Sequence, residues 1–170
     1  KRQIQYGRQK RIPWGISEAA YNARDPELTY QYTNFGVPGL GLKRGLGQNT
    51  VVAPYATVLA AQFMPREAVD NLERLKEIGA LGRYGYYDAV DFTPQRVPEG
   101  ADHQVVYNFM AHHQGMSIVS VANAVFEGRM RDRFHREPMI RASELLLQER
   151  MPRDVAIGHP RAEEVKASSS

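Results

Sequence analysis

The sequence predicts an all-α framework that carries long, ordered loops. Three observations lead there: four apolar segments at helical spacing, Pro and Gly at their ends, and two Gly-, Pro- and Tyr-rich connections too aromatic to be disordered.

The elements follow in chain order. The basic stretch 1–11 reads as the end of a helix. Residues 13–50 form the first long connection, within which Leu-Thr-Tyr-Gln-Tyr-Thr-Asn (28–34) alternates as a short hairpin does. Residues 56–63 are a short apolar helix bracketed by Pro54 and Pro65. Residues 66–78 place Val69, Leu72, Leu75 and Ile78 three apart, and Gly79 stops the helix. The second long connection is 80–102. The longest predicted helix is 104–126, with Val105, Phe109, Met116, Val119 and Ala122 on one side and Gly128 near its end. A last helix, 142–150, carries Leu145, Leu146 and Leu147 and stops before Pro152. Most of the glycines and tyrosines lie in the two connections, and long connections in a compact domain are commonly functional.

At 170 residues and 42% hydrophobic content the chain suffices for one domain with a core. Its net charge of +3 is spread along the chain with acids interleaved, which describes a solvated mixed surface and not a nucleic-acid stripe. With no cysteine, disulfide and thiolate chemistry are excluded. No apolar run reaches the roughly 20 residues that span a bilayer, and no signal peptide opens the chain. A start without Met and a polar Ala-Ser-Ser-Ser end read as part of something longer.

The residue types that carry chemistry point to sugars. Trp14 lies four residues before Glu18, with Gly15 permitting a sharp turn; Tyr84, Tyr86 and Tyr87 lie beside Asp88 and Asp91. Aromatic faces stack on pyranose rings, and carboxylates supply acid, base or nucleophile at the anomeric carbon. Two readings stay open for Glu18: catalysis, or capping a helix through Ala19, Ala20 and Tyr21. Two stay open for Asp91: catalysis, or a turn ahead of Thr93-Pro94. Asp88 suits a substrate hydroxyl; were the segment helical, Asp88 and Asp91 would share a face. His112, His113 and Gln114 fall within one helix. Adjacent helical side chains diverge by about 100°, so the two histidines are not expected to chelate one metal, and no metal or other cofactor is expected. One imidazole is expected to face a cleft, where it can bond a sugar hydroxyl or orient a carboxylate. Gly36 to Gly45 lacks the dinucleotide spacing, and Gly115-Met116-Ser117 lacks the second glycine of a nucleophile elbow.

Trp14-Gly15-Ile16-Ser17-Glu18, Phe35-Gly36-Val37-Pro38-Gly39-Leu40-Gly41-Leu42-Lys43-Arg44-Gly45, Ala53-Pro54-Tyr55-Ala56-Thr57, Gly82-Arg83-Tyr84-Gly85-Tyr86-Tyr87-Asp88-Ala89 and Met110-Ala111-His112-His113-Gln114-Gly115-Met116-Ser117 come in one order. Together, with Phe134-His135 and Leu145 to Arg150 behind them, they resemble the central glucoamylase-like domain of bacterial cyclic β-1,2-glucan synthases. The resemblance runs to about Val155.

It implies an (α/α)6 barrel, of which residues 1–155 are the later, C-terminal half and 156–170 a linker or tail. It implies a soluble domain on the cytoplasmic side of the inner membrane. The domain would sit between a membrane-embedded glucosyltransferase and a phosphorylase in one polypeptide. The implied activity is anomer-retaining transglycosylation that cyclises linear β-1,2-glucan, without nucleic acid or cofactor. Glu18 is implied as nucleophile, with the acid/base upstream of Lys1, so that this chain alone is expected to be inactive and to leave apolar helix faces uncovered. Trp14, Tyr21, Tyr84, Tyr86 and Tyr87 are implied to wall the sugar subsites, and Asp88, His112 and Gln114 to bind hydroxyls or fix Glu18. Where this chain has Asp88 the family often has Glu, which points to a supporting role. A hydrolase resembling endo-β-1,2-glucanases and a non-catalytic glucan-binding module are the alternatives.

Overall fold

The structure, a computed structural model, describes residues 1–41, 43–144 and 146. They fall into two compact units, Lys1–Arg133 and Phe134–Ser170.

In the first unit, α1 (Arg2–Lys10) ends at Arg11 in the left-handed region, φ 58°. It is tied to the chain that follows by Gln3, whose amide donates to the Ile16 carbonyl (2.7 Å) and accepts from the Ile16 N–H (3.0 Å). Helix α2 (Pro54–Ala60) starts on Pro54, whose missing N–H costs nothing in a first turn. Helix α3 (Pro65–Glu77) does the same with Pro65, has Glu67 in its first turn and Arg74 and Lys76 in its last, in keeping with the helix dipole. Gly79, φ 83°, turns the chain out, and the Gly79 and Ala80 N–H groups close on the carbonyls of Lys76 and Leu75. These three helices agree with the sequence expectation within a few residues.

The all-α expectation is corrected by the connections, which fold in part as strands. Strand β1 (Ala19–Arg24) pairs antiparallel with β2 (Tyr30–Thr33), so the alternation at 28–34 is one arm of a hairpin whose other arm lies upstream. Strand β3 (Val51–Val52) opens a three-stranded antiparallel sheet. Its order is β3–β6–β7, with β6 at Ala89–Asp91 and β7 at Gln104–Val106. Between them, β4 (Leu81–Gly82) and β5 (Gly85–Tyr86) make a small hairpin. Two apolar clusters flank the three-stranded sheet, as a period of two requires. Val52 and Val90 pack with Tyr6, Ile16, Leu75 and Ala80; Val51, Ala89 and Val106 pack with Ala19, Ala20 and Tyr55.

The predicted helix 104–126 is therefore two elements. Gln104 to Val106 pair with β6, and α4 begins only at Ala111 (Ala111–Val125). Val105 and Val106 are β-branched and find backbone partners on β6, which outweighs their place in a helical pattern. Phe109, the next residue of that pattern, stays 38% exposed and so marks no buried helical face. Helix α4 also leaves Ile118, Val121 and Val125 about half exposed or more.

Helix α5 (Arg129–His135) follows α4. The second unit holds α6 (Pro138–Glu144), where Glu144 accepts from His135. The predicted helix 142–150 overlaps the end of α6; its residues 145 and 147–150, like the 155/156 boundary, lie outside the described residues. No helix among the described residues is long and apolar enough to cross a membrane.

Candidate active site

Glu18 ends a tight approach. Gly15 has φ 118°, and a Cβ there would lie 2.9 Å from Thr57 Oγ1 and 3.1 Å from the Ala53 carbonyl, so only glycine fits. Asn71, from α3, clamps Trp14 beside it: its Oδ1 accepts from the Trp14 N–H (2.9 Å), and its Nδ2 donates to the Trp14 carbonyl (2.8 Å) and to Thr57 Oγ1 (2.8 Å). After Glu18 the chain is strand and not helix. Helix capping is thus overturned as a reading of Glu18. Ala19 and Ala20 are fully buried against the sheet, where a strand brings two small side chains into close packing. The N–H groups of Ala20 and Asn22 are taken by carboxylates, Asp88 Oδ2 at 2.7 Å and Asp91 Oδ2 at 3.1 Å.

Those carboxylates do different things. Asp91 accepts from the Thr93 N–H (2.9 Å) and from Arg96 through Nε (2.6 Å) and Nη2 (3.2 Å). It is the turn-holding residue of the second reading, and a buried ion pair besides. Asp88 is 3% exposed; its Oδ1 accepts from His113 Nδ1 at 2.6 Å while Oδ2 holds Ala20. Asp88 precedes β6 and Asp91 ends it, and the two share no helical face. Asp88 spends both oxygens within the protein, which favours support over direct contact with a hydroxyl.

His113 is 1% exposed, stacked on Tyr55 with ring centroids 3.8 Å apart, and Tyr55 is held by Ser17 (Oγ to Oη 2.7 Å). Burial raises the Tyr55 hydroxyl above its usual range, partly offset by the Ser17 hydrogen bond. Tyr32, on β2, points its hydroxyl at both histidines, 3.2 Å from His113 Nε2 and 3.3 Å from His112 Nε2. That hydroxyl is pushed up to about 12, by burial first and then by the negative charge of Glu18. Ligand atoms of Glu18, His112 and His113 lie within 4.8 Å of one another. Adjacent positions do not keep the two imidazoles apart: in the first turn of α4 the rings are 4.1 Å from each other and both reach Tyr32. Among the described residues this is one compact group of a carboxylate, two imidazoles and a phenol, with a second carboxylate behind it. Beside it opens a cavity of about 170 Å³ lined in part by Tyr55, Tyr86, Tyr87, Asp88, His113 and Gln114.

Residues 2–138 match the Glycoamylase family model, described as putative glucoamylase. The chain belongs to the glycoamylase family. It is 65% identical over 155 residues to the cyclic beta-(1,2)-glucan synthase NdvB of Rhizobium meliloti (strain 1021), a match spanning 91% of this chain and 6% of that protein. Two solved structures share the fold. A putative glucoamylase from Bacteroides caccae has a TM-score of 0.54, and an endo-beta-1,2-glucanase from Chitinophaga pinensis, in complex with sophorotriose and glucose, 0.53. Each is 20% identical, and each match covers 86% of this chain and 32% of the other.

The glycoamylase fold brings Glu18, His112 and His113 together, with Asp88 bonded behind His113, and sets Tyr86, Tyr87 and Gln114 around the adjoining cavity. Tyr86 is anchored by its hydroxyl, which donates to the Leu72 carbonyl (2.9 Å), and Gln114 Nε2 reaches the Tyr86 carbonyl at 3.4 Å. Tyr84 is apart from the cavity lining, 75% exposed, with its ring edge against Phe109. Two aromatic residues are corrected as sugar platforms. Trp14 is 7% exposed and lines a different cavity, next to Ile4, Arg8 and Asp70. Tyr21 has Phe35 against it and the Arg96 guanidinium 4.9 Å from its ring centroid, so protein groups occupy its ring. Tyr32 is a residue that sequence reasoning did not single out for the site, and the imidazole expected to orient a carboxylate is that of His113, on Asp88.

Proposed function

We propose that this glycoamylase chain is part of an anomer-retaining transglycosylase domain that cyclises linear β-1,2-glucan within a longer cyclic β-1,2-glucan synthase. The observation that carries the reading is the 65% identity to NdvB across 91% of the chain, joined to a Glu18 group built as a site. Residues 1–155 would form the later half of an (α/α)6 barrel and 156–170 a linker. The apolar face of α4 is where further helices would pack, as solved relatives three times as long allow. The longer protein would hold this domain on the cytoplasmic side of the inner membrane, beside its glucosyltransferase and phosphorylase domains.

Glu18 attacks the anomeric carbon of an internal β-1,2-linked glucose, and the glycosidic oxygen leaves with a proton from an acid. Asp88 and Asp91, buried and bonded to His113 and Arg96, are placed as supports, and the resemblance to the synthase domain implies that this acid lies upstream of Lys1. The same group then takes the proton from the chain's own 2-hydroxyl, which attacks C1 and closes the ring. Tyr86, Tyr87 and Gln114 line the sugar path, and His112 with the Asp88–His113 pair fixes the carboxylate. Retaining chemistry places the two carboxyl groups roughly 5 Å apart. A hydrolase is the second reading, favoured by the endo-β-1,2-glucanase neighbour; it differs only in whether water replaces the sugar hydroxyl.

The test is a synthase polypeptide carrying this segment, as wild type and Glu18→Gln, incubated with linear β-1,2-gluco-oligosaccharides. We expect products about 18 Da lighter than the linear chains, from the loss of one water, and none from the variant. Linear fragments alone would identify a hydrolase, and an undiminished variant would remove Glu18 from the chemistry.

A further inference from the structure

His112 and His113 occupy adjacent positions in the first turn of α4, where helix geometry alone turns side chains about 100° apart. Their Nε2 atoms nevertheless aim at one place, marked by the Tyr32 hydroxyl at 3.3 Å from the first and 3.2 Å from the second. Ligand atoms of both imidazoles and of the Glu18 carboxylate lie within 4.8 Å of one another. Around a tetrahedral ion with bonds near 2.1 Å, ligand atoms are about 3.4 Å apart. Glu18 and His112 are exposed, so rotation of their side chains can close that difference. Behind them, Asp88 Oδ1 holds His113 Nδ1 at 2.6 Å, with both side chains almost fully buried, and Tyr55 stacks on the same ring. A carboxylate on the far nitrogen of an imidazole is the outer partner that metal-binding histidines commonly have, because it fixes the ring and directs the other nitrogen at the ion. The donors also choose the ion. Two imidazoles and a carboxylate suit zinc and its neighbours, whereas magnesium and calcium take oxygen ligands.

We propose that Glu18, His112 and His113 form a binding site for a divalent transition ion of the zinc class, and that filling it stops the reaction. The inhibition rests on the reading of Glu18 as nucleophile; the binding does not. Three protein ligands leave a zinc-class ion at least one position for water. The carboxylate that must attack C1 is then spent on the ion, and so are the two ring nitrogens beside it. Tyr32 is not counted among the ligands: its hydroxyl gives up its two imidazole contacts as the ion enters. Because Glu18 and His112 face solvent, the ion reaches the site without any opening of the fold, and buried His113 supplies the fixed point on which the other two close.

The probe is cobalt(II), titrated by its visible absorption into a synthase polypeptide carrying this segment, with zinc and magnesium as competitors. His112→Ala, Glu18→Gln and Tyr32→Phe are run beside the wild type, and comparison within one polypeptide cancels any ion held elsewhere in it. All three side chains are exposed, so folding is preserved. Loss of an outer partner typically weakens a metal site by about 10- to 100-fold, and loss of a ligand should cost more. We expect His112→Ala and Glu18→Gln each to weaken cobalt binding by about 100-fold or more, and Tyr32→Phe to bind at least as tightly as the wild type. Zinc should displace the cobalt and halt cyclisation of linear β-1,2-gluco-oligosaccharides, a chelator should restore it, and magnesium should do neither. Equal cobalt affinity in the wild type and His112→Ala, displacement by magnesium as effective as by zinc, or full cyclisation with zinc bound would overturn the proposal. A Glu18→Gln variant that binds cobalt weakly yet still cyclises would sink the nucleophile reading and the inhibition with it, and leave the binding site standing.

Discussion

Asn71→Ala offers a sharp test of how the approach to Glu18 is held. The side chain is 1% exposed and makes three hydrogen bonds, two to Trp14 and one to Thr57. On its removal the Trp14 carbonyl keeps Thr57 Oγ1 at 3.2 Å, but the Trp14 N–H has no other partner here. A buried donor left unsatisfied costs about 1–3 kcal/mol, and the other two bonds about 0.5–1.5 kcal/mol each. The sum, about 2–6 kcal/mol, is a large fraction of the roughly 5–15 kcal/mol that holds an ordinary domain together. Trp14 is the chain's one tryptophan, so its fluorescence in a urea titration reports directly on the clamp. With m of about 1–3 kcal/mol/M, the midpoint should fall by about 1 M or more at unchanged m. Thr57→Val, which removes one donor and one acceptor from the same network but leaves Asn71 on Trp14, should lose less. An Asn71→Ala midpoint no lower than that of Thr57→Val would refute the accounting, and with it the idea that Asn71 sets the turn before Glu18.

Two more outcomes follow from the same site. Arg96→Met leaves Asp91, fully buried, without its cation; removing one partner of such a pair typically costs about 3–5 kcal/mol, and the urea midpoint should show it. Tyr32, displaced from 10.0 to about 12, should be the last phenol to ionise when absorbance near 295 nm is followed upward in pH, and Glu18→Gln should bring it down. Its folded value lies above the unfolded one, so its share of stability is whole below pH 10 and is lost as pH rises from 10 through 12. Tyr32→Phe should flatten the stability profile in that window and leave it unchanged below.

Helix α3 was legible because thirteen residues repeat one period between Pro65 and Gly79, and α2 because Pro54 announces it. The strands were not. Five of the seven among the described residues, β3 to β7, have two or three residues, too few for an alternation to register, and partners can lie far along the chain: Val52 pairs with Val90. Ala19-Ala20 looks helical by propensity and became strand because tertiary packing selected small side chains there. The site divides the same way. Glu18, Asp88 and His112 lie in motifs whose order could be matched, and they do come together. Tyr32 sits in an unremarkable alternating stretch and owes its place to histidines 80 and 81 residues away, a separation no local pattern encodes. Trp14 misled because a lone tryptophan beside a carboxylate suits a sugar platform and a core anchor equally until burial is known.

The bonds from Asp88 and Asp91 to the Ala20 and Asn22 amides have one more consequence. Strand β1 pairs with β2 along one edge, and these amides belong to the other, which in an exposed hairpin would invite a foreign strand. Here each of them already ends on an anion from within the same unit. The hairpin that leads away from Glu18 is thereby made unattractive as a template for self-association, and this protection needs neither an inserted proline nor a covering helix.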